Sequence, residues 1–231
     1  MADLAQRLSA IDERIADAAR TAGRDAGEIT RIVVTKFHPA SLVRDLHALG
    51  VRDVGENRQQ ELTAKQGELD EDAAFGDLRW HFIGQAQTNK AAAIRRSADA
   101  VHSVDRRKLA DALHRAADSD DDVLDVLVQV NLTDDSGRGG AAPTESAELA
   151  EHILTLPSLR LRGVMGVAPL DGRPAPAFER LRGIAETVRS IEPSATWISA
   201  GMTGDFADAI AAGATHLRIG SAITGPRPDR G

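Results

Sequence analysis

The sequence predicts an α/β fold: a single-domain (β/α)8 TIM barrel over residues 1–231, with an extra helix at its N-terminus. Three observations predict it. Short β-branched runs alternate with helical apolar stripes at a spacing of roughly 20 to 30 residues, the pattern of βα units on a parallel sheet. Eight such runs can be counted, the number that closes a barrel. No linker, repeat or break in composition marks a second domain, and 231 residues, 42% of them hydrophobic, are ample for one large core.

The elements follow in order. Leu4, Leu8, Ile11 and Ile15 recur at helical spacing with charges between them, and Gly23 is the expected stop. Residues 31–36 form the first strand, bounded by Pro39 and ending at Lys36. Side chains alternate along a strand, so Lys36 shares a face with Ile32 and Val34. If that face is the core, the strand delivers one amine to its C-terminal mouth. Lost solvation would then favour the neutral, nucleophilic form. The competing reading is a lysine that snorkels to the surface at a strand end. Leu42, Val43, Leu46 and Leu49 make the next helix, which stops at Gly50. A short strand over 51–54 leads into a turn, Gly55-Glu56-Asn57, where barrels of this kind put their sites; Asn57 as a helix N-cap is the alternative.

The third strand is expected over 79–83, closed by Gly84. The stretch 84–90 lacks the second glycine of a phosphate-binding P-loop, and His81 reads as a hydrogen-bonded core histidine with no second histidine at ligand spacing. Strands follow at 100–103 and 123–130, with a helix starting at Asp105 between them and an acidic solvated loop at 118–122. Residues 133–140 read as a flexible loop and 144–156 as a helix. The sixth strand covers 159–165, and Phe178, Leu181, Ile184, Val188 and Ile191 line one helical face. The last strands are 196–199 and 216–219, with a helix ending at Ala212 between them.

Composition excludes several functions. The net charge is −7 and aromatics are 3%, which is not the profile of a nucleic-acid binder. The absence of cysteine removes disulfides, thiolate nucleophiles and Cys-ligated metals, and fits a reducing cytoplasm. The first residues lack the layout of a signal peptide, and no uncharged apolar run has transmembrane length. There is also no tyrosine.

In such barrels the loops after strands seven and eight commonly bind phosphate. Here they carry Ser199-Ala200-Gly201 and Gly220-Ser221: small residues that let the backbone approach an anion, with two hydroxyl donors. Arg218 alternates with Leu217 and Ile219, so it enters the barrel if they face the helices; a structural ion pair with Glu56 or Asp205 is the alternative. An amine, a phosphate cradle and an arginine at one mouth suit pyridoxal 5′-phosphate (PLP).

With these residues in view, the chain resembles the YggS/PROSC family of pyridoxal phosphate homeostasis proteins. The resemblance rests on Val33-Val34-Thr35-Lys36, Gly55-Glu56-Asn57-Arg58, His81-Phe82-Ile83-Gly84 with Gln87 and Asn89-Lys90, Gln129-Val130-Asn131, Gly163-Val164-Met165, Ser199-Ala200-Gly201-Met202-Thr203 and Arg218-Ile219-Gly220-Ser221. It implies a barrel like the N-terminal domain of alanine racemase, with Lys36 carrying the cofactor as an internal aldimine. It also implies that Ser199, Gly201, Gly220 and Ser221 lie on the phosphate-binding segments, that Arg218 faces the pyridine nitrogen, and that Asn57 and Met165 lie on segments lining the ring. It implies a monomeric cytoplasmic protein that buffers PLP and delivers it to apoenzymes, with no established turnover and no nucleic-acid or membrane partner. The sequence departs from the family pattern at Phe37-His38, Ala86, Ala200, Ser221 and Thr224. The competing functions are a one-base or weak amino-acid racemase and a sugar-phosphate isomerase or aldolase using Lys36. Two-base racemization in the alanine-racemase manner would need a tyrosine that this chain lacks.

Overall fold

Eight parallel strands pair in chain order and close on themselves. They are β1 (Thr30–Val34), β2 (Asp53–Glu56), β3 (Arg79–Phe82), β4 (Ala100–Val104), β5 (Leu124–Val130), β6 (Leu159–Gly166), β7 (Trp197–Ser199) and β8 (His216–Ile219). The structure, a computed structural model, describes residues 2–69, 73–119, 121–133, 135, 137–169 and 172–227. Parts of the expected single domain and of the loops at 118–122 and 133–140 lie outside the described residues. Closure is made by β1 and β8, with Ile32 beside Arg218 and Val33 beside Ile219.

Helices cover the outside: α1 (Ala2–Thr21), α2 (Ala40–Ala48), α3 (Gln59–Leu69), α4 (Ala91–Ser97), α5 (Arg107–Arg115), α6 (Ser146–Leu154), α7 (Pro174–Ile191), α8 (Phe206–Ala211) and the short α9 (Ser221–Thr224). The stripe Leu4, Leu8, Ile11 and Ile15 buries α1 against this layer, as its spacing predicts. Alternation along the strands separates two cores. Val33, Val54, Trp80, Val101, Leu217 and Ile219 join the apolar layer under the helices, whereas Ala100, Leu127, Met165 and Trp197 form a small cluster of their own inside the barrel.

Most strands differ from expectation by one residue at one end, and the first two by two. The first strand ends at Val34 rather than Lys36, and the second runs over Asp53–Glu56 rather than 51–54. Gly55 reads locally as a turn glycine, but it lies within β2, paired with Val34 and His81. A Cβ there would come within 2.9 Å of Ile32 Cγ2, so the glycine makes room for the interior side chains of β1.

Candidate active site at the barrel mouth

The C-terminal end of β1 is held by a buried ionic network. Thr35 and Glu56 are fully buried, and Thr35 Oγ1 donates to Glu56 Oε1 at 2.6 Å. Lys65 reaches in from α3, where it shares the buried stripe of Leu62 and Leu69. Its ammonium donates to the Thr35 carbonyl at 2.7 Å and to the same Glu56 oxygen. Burial raises the Glu56 pKa above its ordinary value, against the pull of the Lys65 charge and of the Lys65 and Thr35 hydrogen bonds. With Thr35 anchored, the chain turns sharply. Phe37 has φ +70°, a left-handed conformation rare for a bulky residue, and its N–H donates to Glu61 Oε2 at 2.8 Å.

This turn presents Lys36, and here the expectation is corrected. Lys36 is exposed and lies two residues beyond the end of β1 instead of ending it; the Thr35 N–H still donates to the Gly55 carbonyl of β2 at 3.0 Å, and the chain then turns out of the sheet. Its Nζ sits 5.8 Å from the centroid of the Phe37 ring, which also receives Arg58 at 5.1 Å and Arg227 at 4.1 Å. The enclosed lysine is Lys65. Beside the turn, burial and then the Lys65 charge lower the His38 pKa.

Arg218 enters the barrel, as alternation predicts. Its acceptors are neutral: Nη1 donates to Ser199 Oγ at 2.8 Å and Nη2 to the Gly166 carbonyl at 3.0 Å. Burial lowers its pKa to about 10, opposed by the Asp205 carboxylate, so it is a cation at neutral pH. Among the described residues it makes no ion pair with Glu56 or Asp205. Ser199 is fully enclosed, its hydroxyl lying between Arg218 and His102, so it faces the inside of the barrel instead of offering a free donor at the rim.

The two glycine loops differ. Gly201 has φ +93°, and a Cβ there would meet Ala209 Cβ at 2.8 Å; this glycine lets the β7 loop pack on α8. The Met202 amide donates to Asp205 Oδ1 at 2.6 Å, and α8 begins only at Phe206. After β8, in contrast, α9 begins directly at the exposed Ser221. A Cβ on Gly220 would find only Val34, at 3.7 Å, so the space beside it opens toward the end of β1. Asn57 is half-buried after β2, and among the described residues its enclosed Oδ1 has no hydrogen-bond partner; it caps no helix. Glu56 Oε2 is likewise unpartnered among the described residues. Met165 is buried in the interior cluster, paired in register with Ser199.

The eight residues singled out in the sequence thus lie on or just beyond β6, β7, β8, β1 and β2, neighbours around the barrel, toward their C-terminal ends. Residues missed are Lys65 and His102. Lys65 could have been found from its place between Leu62 and Leu69 on α3, and His102 from its alternation with Val101 on β4. Among the described residues no cluster of His, Asp or Glu is placed to hold a metal ion.

The family described as alanine racemase, N-terminal domain, matches residues 7–228. The pyridoxal phosphate homeostasis protein of Mycobacterium tuberculosis is 40% identical over 240 aligned residues, covering 97% of this chain and 93% of that protein. The chain belongs to this family of pyridoxal phosphate homeostasis proteins. Among solved structures, PipY of Synechococcus elongatus with PLP bound is 33% identical, with a TM-score of 0.82 over 96% of this chain and all of that one. Alanine racemase of Corynebacterium glutamicum, at 15% identity and a TM-score of 0.70, shares the barrel fold, and the match covers 63% of its chain.

Proposed function

We propose that this chain binds pyridoxal 5′-phosphate at the barrel mouth and serves cofactor homeostasis, holding PLP in reserve and passing it to apoenzymes. The observation that carries this reading is Arg218: a buried guanidinium at the mouth, held by neutral acceptors, beside an open glycine cradle and an exposed lysine turn. The relatives' name and the PLP-bound PipY structure support it. The residues present fit the group. Gly220 leaves space that a Cβ would fill, and Asn57 Oδ1 is an enclosed acceptor awaiting a donor among the described residues.

When bound, PLP supplies an aldehyde that condenses reversibly with a primary amine, releasing water. Lys36 would be that amine, since Lys65 is enclosed and bonded to Glu56 and Thr35. Gly201, Gly220 and Ser221 would hold the phosphate, Ser221 with its exposed hydroxyl and the first N–H groups of α9. Ser199 would act by holding Arg218, while Asn57 and Met165 would flank the ring. Arg218 would face the pyridine nitrogen. A cation there disfavours protonation of that nitrogen and weakens the ring as an electron sink, which suits storage more than turnover. The reading extends to one PLP-binding domain over residues 1–231, monomeric and cytoplasmic, with PLP-dependent apoenzymes as recipients. Among the described residues no helix is long and apolar enough to cross a membrane.

The test is an absorption spectrum of the purified protein with PLP, before and after borohydride reduction, followed by peptide mass mapping. A visible band and a pyridoxyl adduct on Lys36 are expected. A protein that stays colourless with added PLP would overturn the reading and favour a sugar-phosphate ligand.

A further inference from the structure

Inside the barrel, hydrogen bonds run from the mouth toward the opposite end. Arg218 Nη1 donates to Ser199 Oγ at 2.8 Å, and Ser199 Oγ lies 2.8 Å from His102 Nδ1. His102 Nε2 lies 2.9 Å from His81 Nδ1, and His81 Nε2 lies 2.9 Å from Asp53 Oδ1. The chain crosses β8, β7, β4, β3 and β2. Ser199, His102 and His81 are fully enclosed, whereas the Asp53 side chain keeps 23% of its exposure. His216 stands beside the chain, its ring centroid 6.4 Å from those of both His81 and His102, but its Nδ1 bonds Thr215 Oγ1 and its ring lies against Trp197.

The two ends impose a direction. A guanidinium can only donate and a carboxylate can only accept. If Asp53 accepts from His81 Nε2–H and the ring is neutral, His81 Nδ1 is bare and must accept from His102 Nε2–H. A neutral His102 then has a bare Nδ1, which must accept the Ser199 hydroxyl proton. The Ser199 lone pairs are thereby turned to the guanidinium. We propose that Asp53, His81 and His102 are positioning residues for Arg218, acting through this one-way hydrogen-bond chain with both rings neutral.

The electrostatic surroundings agree with this arrangement. Burial first, and then His81, His216, Arg218 and Arg79, push the His102 pKa well below its ordinary value. Burial, with His81, Arg79 and Arg162 adding to it and Asp53 opposing, lowers His216 to about 3. For Asp53, burial acts upward but is outweighed by the His81 hydrogen bond, with the Arg79 guanidinium adding to it, so its pKa is lowered and it is an acceptor at neutral pH. Every polar atom along the chain then has its partner, as an enclosed site requires.

The test uses the protein without cofactor, so its outcome is independent of the ligand reading. Nitrogen NMR of the 15N-histidine-labelled protein at neutral pH, assigned with His81→Gln and His102→Gln, should find both rings protonated at Nε2 and bare at Nδ1. An Nδ1-protonated or doubly protonated ring at either position would overturn the proposal. In Asp53→Asn the carboxamide can donate as well as accept, so the direction is no longer imposed. The His102 signal, which Asp53 does not touch, should then shift or broaden. Exchange of the Arg218 side-chain protons should also rise by about tenfold or more, the scale of weakening one charge-assisted hydrogen bond. Asp53→Glu should restore both. Signals for His102 and Arg218 identical to the parent protein's would show that nothing is transmitted and would refute the positioning role. If Asp53→Asn does not fold, the tautomers of the parent protein still decide the question.

Discussion

Replacing Lys65 by methionine tests whether the network behind the Lys36 turn is a paired charge or a packing accident. Methionine keeps most of the side chain's length and removes its charge. Glu56, fully buried, would lose the cation that donates to its Oε1, and the Thr35 carbonyl would lose its donor. Breaking a buried ion pair by removing one partner costs about 3–5 kcal/mol, which we take as the expected loss at pH 8. The loss depends on pH. The Glu56 pKa is already raised above the ordinary carboxylate value, so the folded state binds the proton more tightly than the unfolded chain. Stability contributed by that proton is fully present below the unfolded value and is lost as pH rises through the folded one. Without Lys65 the folded pKa rises further. The gap between variant and parent should therefore open as pH rises above the parent's folded value, and narrow toward pH 5. Urea denaturation from pH 5 to 8 measures it. Glu56→Gln combined with Lys65→Met, which removes both charges, should recover much of the loss. A deficit below about 1 kcal/mol at pH 8, or one that does not change with pH, would refute the reasoning.

Three further outcomes are expected. Lys36→Ala, at an exposed position, should change stability by no more than about 0.5 kcal/mol in urea denaturation, yet leave no pyridoxyl adduct after borohydride reduction; an adduct at another lysine of equal yield would count against Lys36. Arg218→Glu should raise protonation of the bound ring nitrogen, moving the pH titration of the visible spectrum, and an unmoved titration would remove Arg218 from the ring. Gly201→Ala should destabilise by about 1–3 kcal/mol, read as a lower denaturation midpoint, because the backbone is left-handed and Cβ would stand 2.8 Å from Ala209 Cβ; an unchanged midpoint would mean that α8 gives way.

Much of the barrel is legible in local pattern. The helical stripe of α1, the apolar face of α7 and the strand over His216–Ile219 each carry their period in a few residues, and the inward course of Arg218 follows from its two apolar neighbours. The helices α3 and α4 did not stand out. In α3 the buried stripe reads Leu62, Lys65, Leu69, and a lysine in the middle breaks the apolar signal that marks a helix face. Gly55 misled for the opposite reason: it carries a turn residue's chemistry but is needed for the close approach of Ile32 within the sheet.

The sequence by itself determined the eight strands, most of the helices between them and the segments that gather at the mouth, because periodicity and loop position are properties of neighbours along the chain. Only the tertiary structure decided what each polar side chain faces. Lys36 is exposed and Lys65 enclosed because α3 brings an ammonium to the Thr35 carbonyl just where β1 leaves the sheet. Ser199 belongs to Arg218 and His102, and His102 to His81, because barrel closure brings together residues up to 97 positions apart. Partners at such separations are chosen by packing, and spacing along the chain carries no record of them.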